Sequence, residues 1–195
     1  MKNFINDIVS KVLLSSNTVL VIYEHVKNNI EIMIDKKIDV IVKRITKISI
    51  YELVKRYGIG KAVVSLYTTL YLNKHSKIRL LVFMGLSSGK RIAEILLGKA
   101  NLELTEDYAI DTLREFMNVI AGSYALRLSN MIKRNIMYDI PEVIIEIDRA
   151  IISELVIPLA IKTNEVIFHD VTMKCDDDDD ISMSMFIVSE SDVTN

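Results

Sequence analysis

The sequence predicts an α/β (α+β) chain of one domain, built from two related units. Segments with apolar residues at helical spacing alternate with segments of period-2 patterning rich in β-branched residues. No Pro/Gly/Ser-rich linker divides the 195 residues. Apolar positions recur at an offset of 106 residues, pairing Leu14 with Ile120, Leu20 with Leu126, Val26 with Ile132 and Ile30 with Ile136. A duplicated α/β unit is the simplest account.

Ile5, Ile8, Val12, Val19, Ile22 and Val26 predict a first helix over Phe4–Lys27. A short strand over Asn29–Ile34 and another over Ile38–Ile45 follow. Ser49-Ile50-Tyr51-Glu52 reads as a capping box that starts a short helix, with Gly58 as its stop. Lys61–Leu72 pairs with Lys77–Met84 as a hairpin across Asn73-Lys74-His75-Ser76. Ser87 or Ser88 caps a helix to Leu97 that Gly98 ends. Thr105, with Glu106 and Asp107 in the first turn, starts a long helix ending near Asn130 or Met131. After Pro141 come a strand over Glu142–Ile147, a short apolar helix or strand around Ala150–Ile157, and strands over Glu165–Lys174 and Ser182–Val188.

Half of the residues are hydrophobic and 26% charged, a globular composition without a disorder signature. A net charge of −2 gives no electrostatic basis for binding nucleic acid or an anionic membrane. Cys175 is the single cysteine, which excludes a disulfide framework and fits a reducing compartment. No apolar run approaches the roughly 18 residues a membrane span needs. In Val143–Ile161 the residues Glu146, Asp148, Arg149 and Glu154 interrupt it, and Asn3, Asn6, Asp7 and Lys11 break any signal-peptide core. The expected location is the cytoplasm.

The long helix carries Leu113-Arg114-Glu115-Phe116-Met117-Asn118-Val119-Ile120-Ala121-Gly122-Ser123-Tyr124. Leu113, Phe116, Met117, Ile120, Tyr124 and Leu128 form one buried stripe, leaving Glu115, Asn118 and Gly122 on the opposite face. Glycine in a helix interior costs roughly 1 kcal/mol relative to alanine, so Gly122 calls for a reason, such as close approach of another surface. An acid and an amide beside a missing side chain read as a docking site with chemistry in it, although Glu and Asn three residues apart also occur on ordinary solvated faces.

Glu115-x-x-Asn118-x-x-x-Gly122 in this setting resembles the CheC/CheX/FliY family, phosphatases of the chemotaxis response regulator CheY, and CheC in particular. The similarity runs from about Lys77 onward, through Ile78–Met84, Ile92–Gly98, the motif helix, Ile140-Pro141, and the acidic run before Ser182–Ile187. It implies a pseudo-symmetric fold, an antiparallel sheet flanked by two long helices, over residues 1–195. A degenerate first repeat would span about 3–100 and a second, bearing the site, about 105–188. Such proteins typically carry two sites. Here Val9, Val12 and Ser16 face Glu115, Asn118 and Gly122 at the offset above, so only the second site is kept.

The resemblance implies a hydrolase that ends a chemotaxis signal by removing the aspartyl phosphate of a CheY-like response regulator. Asn118 orients the attacking water, Glu115 pairs with a receiver lysine, and Gly122 lets the helix sit close to that partner. No metal or cofactor of its own is expected, because the regulator supplies Mg²⁺ and a lysine. The partners implied are the phosphorylated regulator and, as a further candidate, a CheD-like protein; nucleic acid and membrane are not among them. The rival reading is a non-catalytic adaptor that binds a receiver or CheD-like partner, and a third is a structural piece of the flagellar motor switch.

Other motifs carry less. Gly85-Leu86-Ser87-Ser88-Gly89-Lys90-Arg91 lies between a strand and a helix like a phosphate loop, but the glycine spacing is one residue short and Arg91 stands where a Mg²⁺-binding hydroxyl is required. His25, His75 and His169 lack ligand spacing. Asp176–Asp180 reads as a solvated hairpin tip, with a weak cation contact as the alternative.

Overall fold

The computed structural model describes residues 2–57, 60–73, 77–160 and 163–190. Gly58, and residues 74–76 of the expected hairpin turn with His75, lie outside the described residues. The elements are α1 (Lys2–Leu14), α2 (Ser16–Ile34), β1 (Ile38–Ser49), α3 (Ile50–Tyr57), β2 (Ala62–Tyr71), β3 (Lys77–Met84), α4 (Leu86–Leu97), α5 (Asp107–Ile132), β4 (Met137–Tyr138), β5 (Glu142–Ile147), α6 (Asp148–Ala160), β6 (Glu165–Cys175) and β7 (Ser182–Glu190).

The strands form one antiparallel sheet in the order β1-β6-β7-β3-β2-β4, with β5 also paired to β2. Its two central strands meet with Leu81 opposite Phe186, and outward from there the pairing reads the same in both directions. β2 sits beside β3 as β6 sits beside β7, and β1 edges β6 as β4 and β5 edge β2. The element order repeats in the same way: short helix, long helix, edge strand, helix, two strands. The second round starts at Leu86, so α4, grouped by the sequence reading with the first unit, opens the second.

The helices fix the equivalence residue by residue. α2 ends at Asp35 and α5 at Lys133, both left-handed, with φ of 52° and 56°. At that spacing of 98 residues Val19, Ile22, Val26, Ile30 and Ile34 fall on Met117, Ile120, Tyr124, Leu128 and Ile132, all buried. The 106-residue offset is therefore displaced by two helical turns. It aligned the exposed Leu14 with the fully buried Ile120, a match in type and not in packing.

One extra residue breaks the register of each edge strand at the equivalent place. In β1 the shift falls between Val42 and Arg44. In the other half Tyr138 pairs with Leu70 and Glu142 with Tyr67, so three residues, 139–141, oppose two. Pro141 sits in that bulge, where its missing N–H costs no ladder bond.

α1, α2, α4 and α5 cover one face of the sheet over the main core, and α3 with α6 cover the other over a smaller one that includes Leu81, Phe83, Phe168 and Phe186. α4 can lie against β2 because Gly89 has no side chain; a Cβ there would stand 2.7 Å from Val64 Cγ2. Ser49 caps α3 as the capping box predicts, accepting the Glu52 N–H at 3.1 Å.

Three local expectations are corrected. The first helix breaks at Ser15 into α1 and α2. Asn29–Ile34 is the last part of α2, because Val26, Ile30 and Ile34 continue its buried stripe at spacings of four. Gly85 and Glu106, rather than Ser87 or Ser88 and Thr105, stand at the N-caps of α4 and α5.

Candidate functional site

Twenty-six residues long, α5 buries Leu113, Phe116, Met117, Ile120, Tyr124 and Leu128 and turns its other side outward. On that side Glu115 is exposed, and Asn118 and Gly122 are half-buried one and two turns further on. Among the described residues Glu115 makes no hydrogen bond or ion pair, while Arg114 beside it is held by Asp111. The helix therefore brings all three predicted residues to one strip of surface.

What reaches Gly122 is this chain's own Tyr138, a residue the sequence reading did not single out. Its hydroxyl donates to Asn118 Oδ1 at 3.1 Å. A Cβ on Gly122 would stand 3.2 Å from that same hydroxyl oxygen. The route of the chain explains the meeting. Lys133, in the left-handed conformation, and Arg134 both direct their N–H groups to the Ser129 carbonyl and end α5. The Ile136 N–H then donates to Ser129 Oγ at 3.0 Å, folding the chain back along the helix. Five residues at up to about 3.3 Å each can cover the roughly 16 Å that separate Lys133 from Gly122 along the axis.

Its position is secured on the sheet side as well. Tyr138 pairs with Leu70. The Asp139 N–H donates to the Thr69 carbonyl at 3.0 Å, Thr68 Oγ1 donates to the Asp139 carbonyl at 2.7 Å, and the Tyr71 hydroxyl donates to Asp139 Oδ2 at 2.5 Å. That last bond holds the Tyr71 phenol above its usual pKa, since the carboxylate favours the protonated partner.

Next to the site lies a cleft of about 680 Å³ lined by Gly122, Leu126, Ser129, Lys133, Arg134 and Tyr138. Leu126 in its lining is 56% exposed, and Met137 and Ile140, to either side of Tyr138 in sequence, are 65% and 81% exposed. A glycine with no evident packing role was the signal for something close by; only the tertiary fold names Tyr138.

The remaining candidates have structural partners. Ser88 Oγ donates to the Asp180 carbonyl at 2.5 Å, joining the strand-to-helix turn to the acidic hairpin. That hairpin is a solvated tip as expected, with Asp176, Asp177, Asp179 and Asp180 exposed, but it is also tied down: Asp177 and Asp178 pair with Lys36, and Asp178 accepts from Arg91 Nε at 2.9 Å. The Cys175 thiol is buried and pairs with Asp177. His169 is fully buried, its Nε2 donating to the Leu13 carbonyl at 2.6 Å and its Nδ1 accepting from Tyr23 at 3.1 Å. Burial pushes its pKa down to about 4. Among the described residues no group of three or more His, Cys, Asp or Glu is placed to hold a metal ion, and no helix is long and apolar enough to cross a membrane.

No protein-family model matches the sequence, and a search of curated proteins finds no match. Solved structures do match. FliY of Thermotoga maritima superposes with a TM-score of 0.66 at 13% identity, over 94% of this chain and 88% of that one. A CheC-like superfamily protein from Shewanella sp. PV-4 gives 0.60 at 12% identity, over 90% of this chain and 99% of that one. CheX of Borrelia burgdorferi, solved as a CheX–CheY–BeF3–Mg²⁺ complex, gives 0.58 at 14%, over 88% of this chain and 97% of that one. The duplicated elements, the antiparallel sheet and its two long helices are thus the fold that CheC-like proteins, CheX and FliY share.

Proposed function

We propose that this protein removes the phosphoryl group from the aspartate of a CheY-like response regulator, and so ends a chemotaxis signal. The observation that carries the reading is a half-buried amide, Asn118, held from behind by Tyr138 and standing one turn from the carboxylate of Glu115, which has no partner among the described residues. The shared fold, and the existence of a CheX–CheY complex, support a receiver as the partner.

The chemistry asks little of the enzyme. An aspartyl phosphate is an activated acyl phosphate. A water attacks phosphorus, the P–O bond to the aspartate breaks, the carboxylate leaves and inorganic phosphate is released. The receiver brings Mg²⁺ and a lysine. Asn118 supplies position: its amide can hold the water in line and remains neutral at every relevant pH. Glu115 pairs with the receiver lysine and sets the register of the helix against it. Leu126, Met137 and Ile140 supply apolar contact around the polar strip, and Lys133 and Arg134 suit an acidic partner surface.

The test is phosphate release from the phosphorylated CheY-like receiver of the same organism, with wild type beside Asn118→Ala and binding measured in parallel. Wild type accelerates release; the variant loses about a hundredfold of that acceleration and binds within about threefold, under 1 kcal/mol. Undiminished binding with no acceleration by wild type would overturn the reading in favour of an adaptor, for which exposed apolar contacts are sufficient.

A further inference from the structure

Asn118 could swing its amide between rotamers on a solvated helix face, and a water-positioning group that does so loses most of its use. We infer that Tyr138 is the positioning residue that holds the Asn118 side chain in one place, and that Gly122 is glycine to admit it. The inference rests on the phosphatase reading for its consequence and on geometry for its substance.

The geometry has three parts. The Tyr138 hydroxyl donates to Asn118 Oδ1 at 3.1 Å, so the amide oxygen points back toward β4 and the NH₂ group faces outward. Of the two lone pairs on Oδ1, one is taken and one remains to accept from water. The hydroxyl lies over the helix at Gly122, where any side chain would come within 3.2 Å of it. Thr68, Thr69 and Tyr71 grip Asp139, the next residue, through its carbonyl, its N–H and its carboxylate. The phenol is thus held by the sheet and the amide by the helix, and the bond between them makes one unit of the two.

The inside of the chain supplies a control. At the equivalent positions of the first half stand Leu20 for Asn118, Glu24 for Gly122 and Val40 for Tyr138. Amide, gap and hydroxyl are missing there together, as expected of parts that work as a unit.

The experiment compares wild type, Tyr138→Phe, Gly122→Ala, the double variant and Asn118→Ala in kcat and KM for phosphate release from the phosphorylated receiver. In parallel, NMR follows the order of the Asn118 side-chain NH₂ in the free protein. Tyr138→Phe keeps the ring and removes only the donor. It should lower kcat about tenfold, or about 1.4 kcal/mol of barrier, leave KM within about twofold, and loosen the Asn118 NH₂. Gly122→Ala should do the same by displacing the hydroxyl, and the double variant should be no slower than either single one. Wild-type kcat in Tyr138→Phe with Asn118→Ala inactive overturns the inference and leaves the phosphatase reading intact. No acceleration by wild type removes that reading, and the Asn118 NH₂ signal then decides alone: unchanged order in Tyr138→Phe overturns the inference, and loosened order sustains it.

Discussion

The two halves of this molecule are the same scaffold with and without the candidate site. α2 and α5 bury matching residues and end in matching left-handed caps, and their edge strands carry the same one-residue register shift. Yet α5 presents Glu115, Asn118 and Gly122 outward where α2 presents Asn17, Leu20 and Glu24. Burial constrains the inner stripe in both, so the core has kept its pattern. The outer strip answers only to whatever lies beyond it. Outward residues that serve no packing role in either copy are therefore where the halves are free to part, and where function has to be sought.

A second difference lies inside. Where β2 places Leu66 against the helices, β6 places His169, tied to Tyr23 and to the last turn of α1. This gives the largest expected effect. His169 stays neutral when folded, with a pKa near 4 from desolvation, against about 6.5 unfolded. Its contribution is complete above about pH 6.5 and is lost as pH falls toward 4, because the unfolded chain takes up a proton first; the loss reaches up to about 3 kcal/mol. Urea midpoints at pH 7 and pH 4.5 measure it. His169→Leu, which copies the first half, should flatten that acid limb, and an unchanged limb would remove His169 as its source.

The two helical glycines separate packing from function. Gly89→Ala drives a methyl to 2.7 Å from Val64 in the core and should destabilise the fold by about 2 kcal/mol, read as a lowered denaturation midpoint. Gly122→Ala meets only the tip of Tyr138, so the gain in helix propensity wins: stability should rise by about 0.5 kcal/mol while phosphate release slows. If both changes destabilised equally, Gly122 would be a packing glycine like Gly89. The smallest effect is expected from Leu20→Asn. It restores the amide to the first half without gap or hydroxyl, and the rate of phosphate release should stay within about twofold of wild type. A clear gain there would show that an amide suffices alone.

Much of this was legible in the sequence because local pattern and tertiary demand agree. Period-2 runs located β2, β3, β5, β6 and β7 to within a residue or two, and Ser49 with Glu52 announced α3. The end of α2 was misread because Ile32, 80% exposed, sits between Glu31 and Met33 and lends the segment a strand's alternation. The break at Ser15 has apolar spacing on both sides, so nothing local marks it. Ser88 looked like a cap because its hydroxyl was free to be one; in the fold the Asp180 carbonyl takes it. Asn118 and Gly122 stood out as polar and missing side chains on an amphipathic helix. Tyr138 could not, since its meaning depends on the chain turning back at Lys133 and descending beside the helix it has just left.

The register shift at residues 139–141 has a consequence for how this half can change. A strand's side chains alternate faces, so one added residue inverts which of them look toward the helices. Tyr138 and Val143, five apart, both face the main core side only because that inversion lies between them. The bulge thus works as a phase element between the site and the rest of the edge strand. Removing one residue from it would turn either Tyr138 away from Asn118 or the whole of β5 inside out, whereas a two-residue insertion would preserve both phases. Length variation at this point is quantised by parity, and the site can be tuned only in steps that the sheet cannot feel.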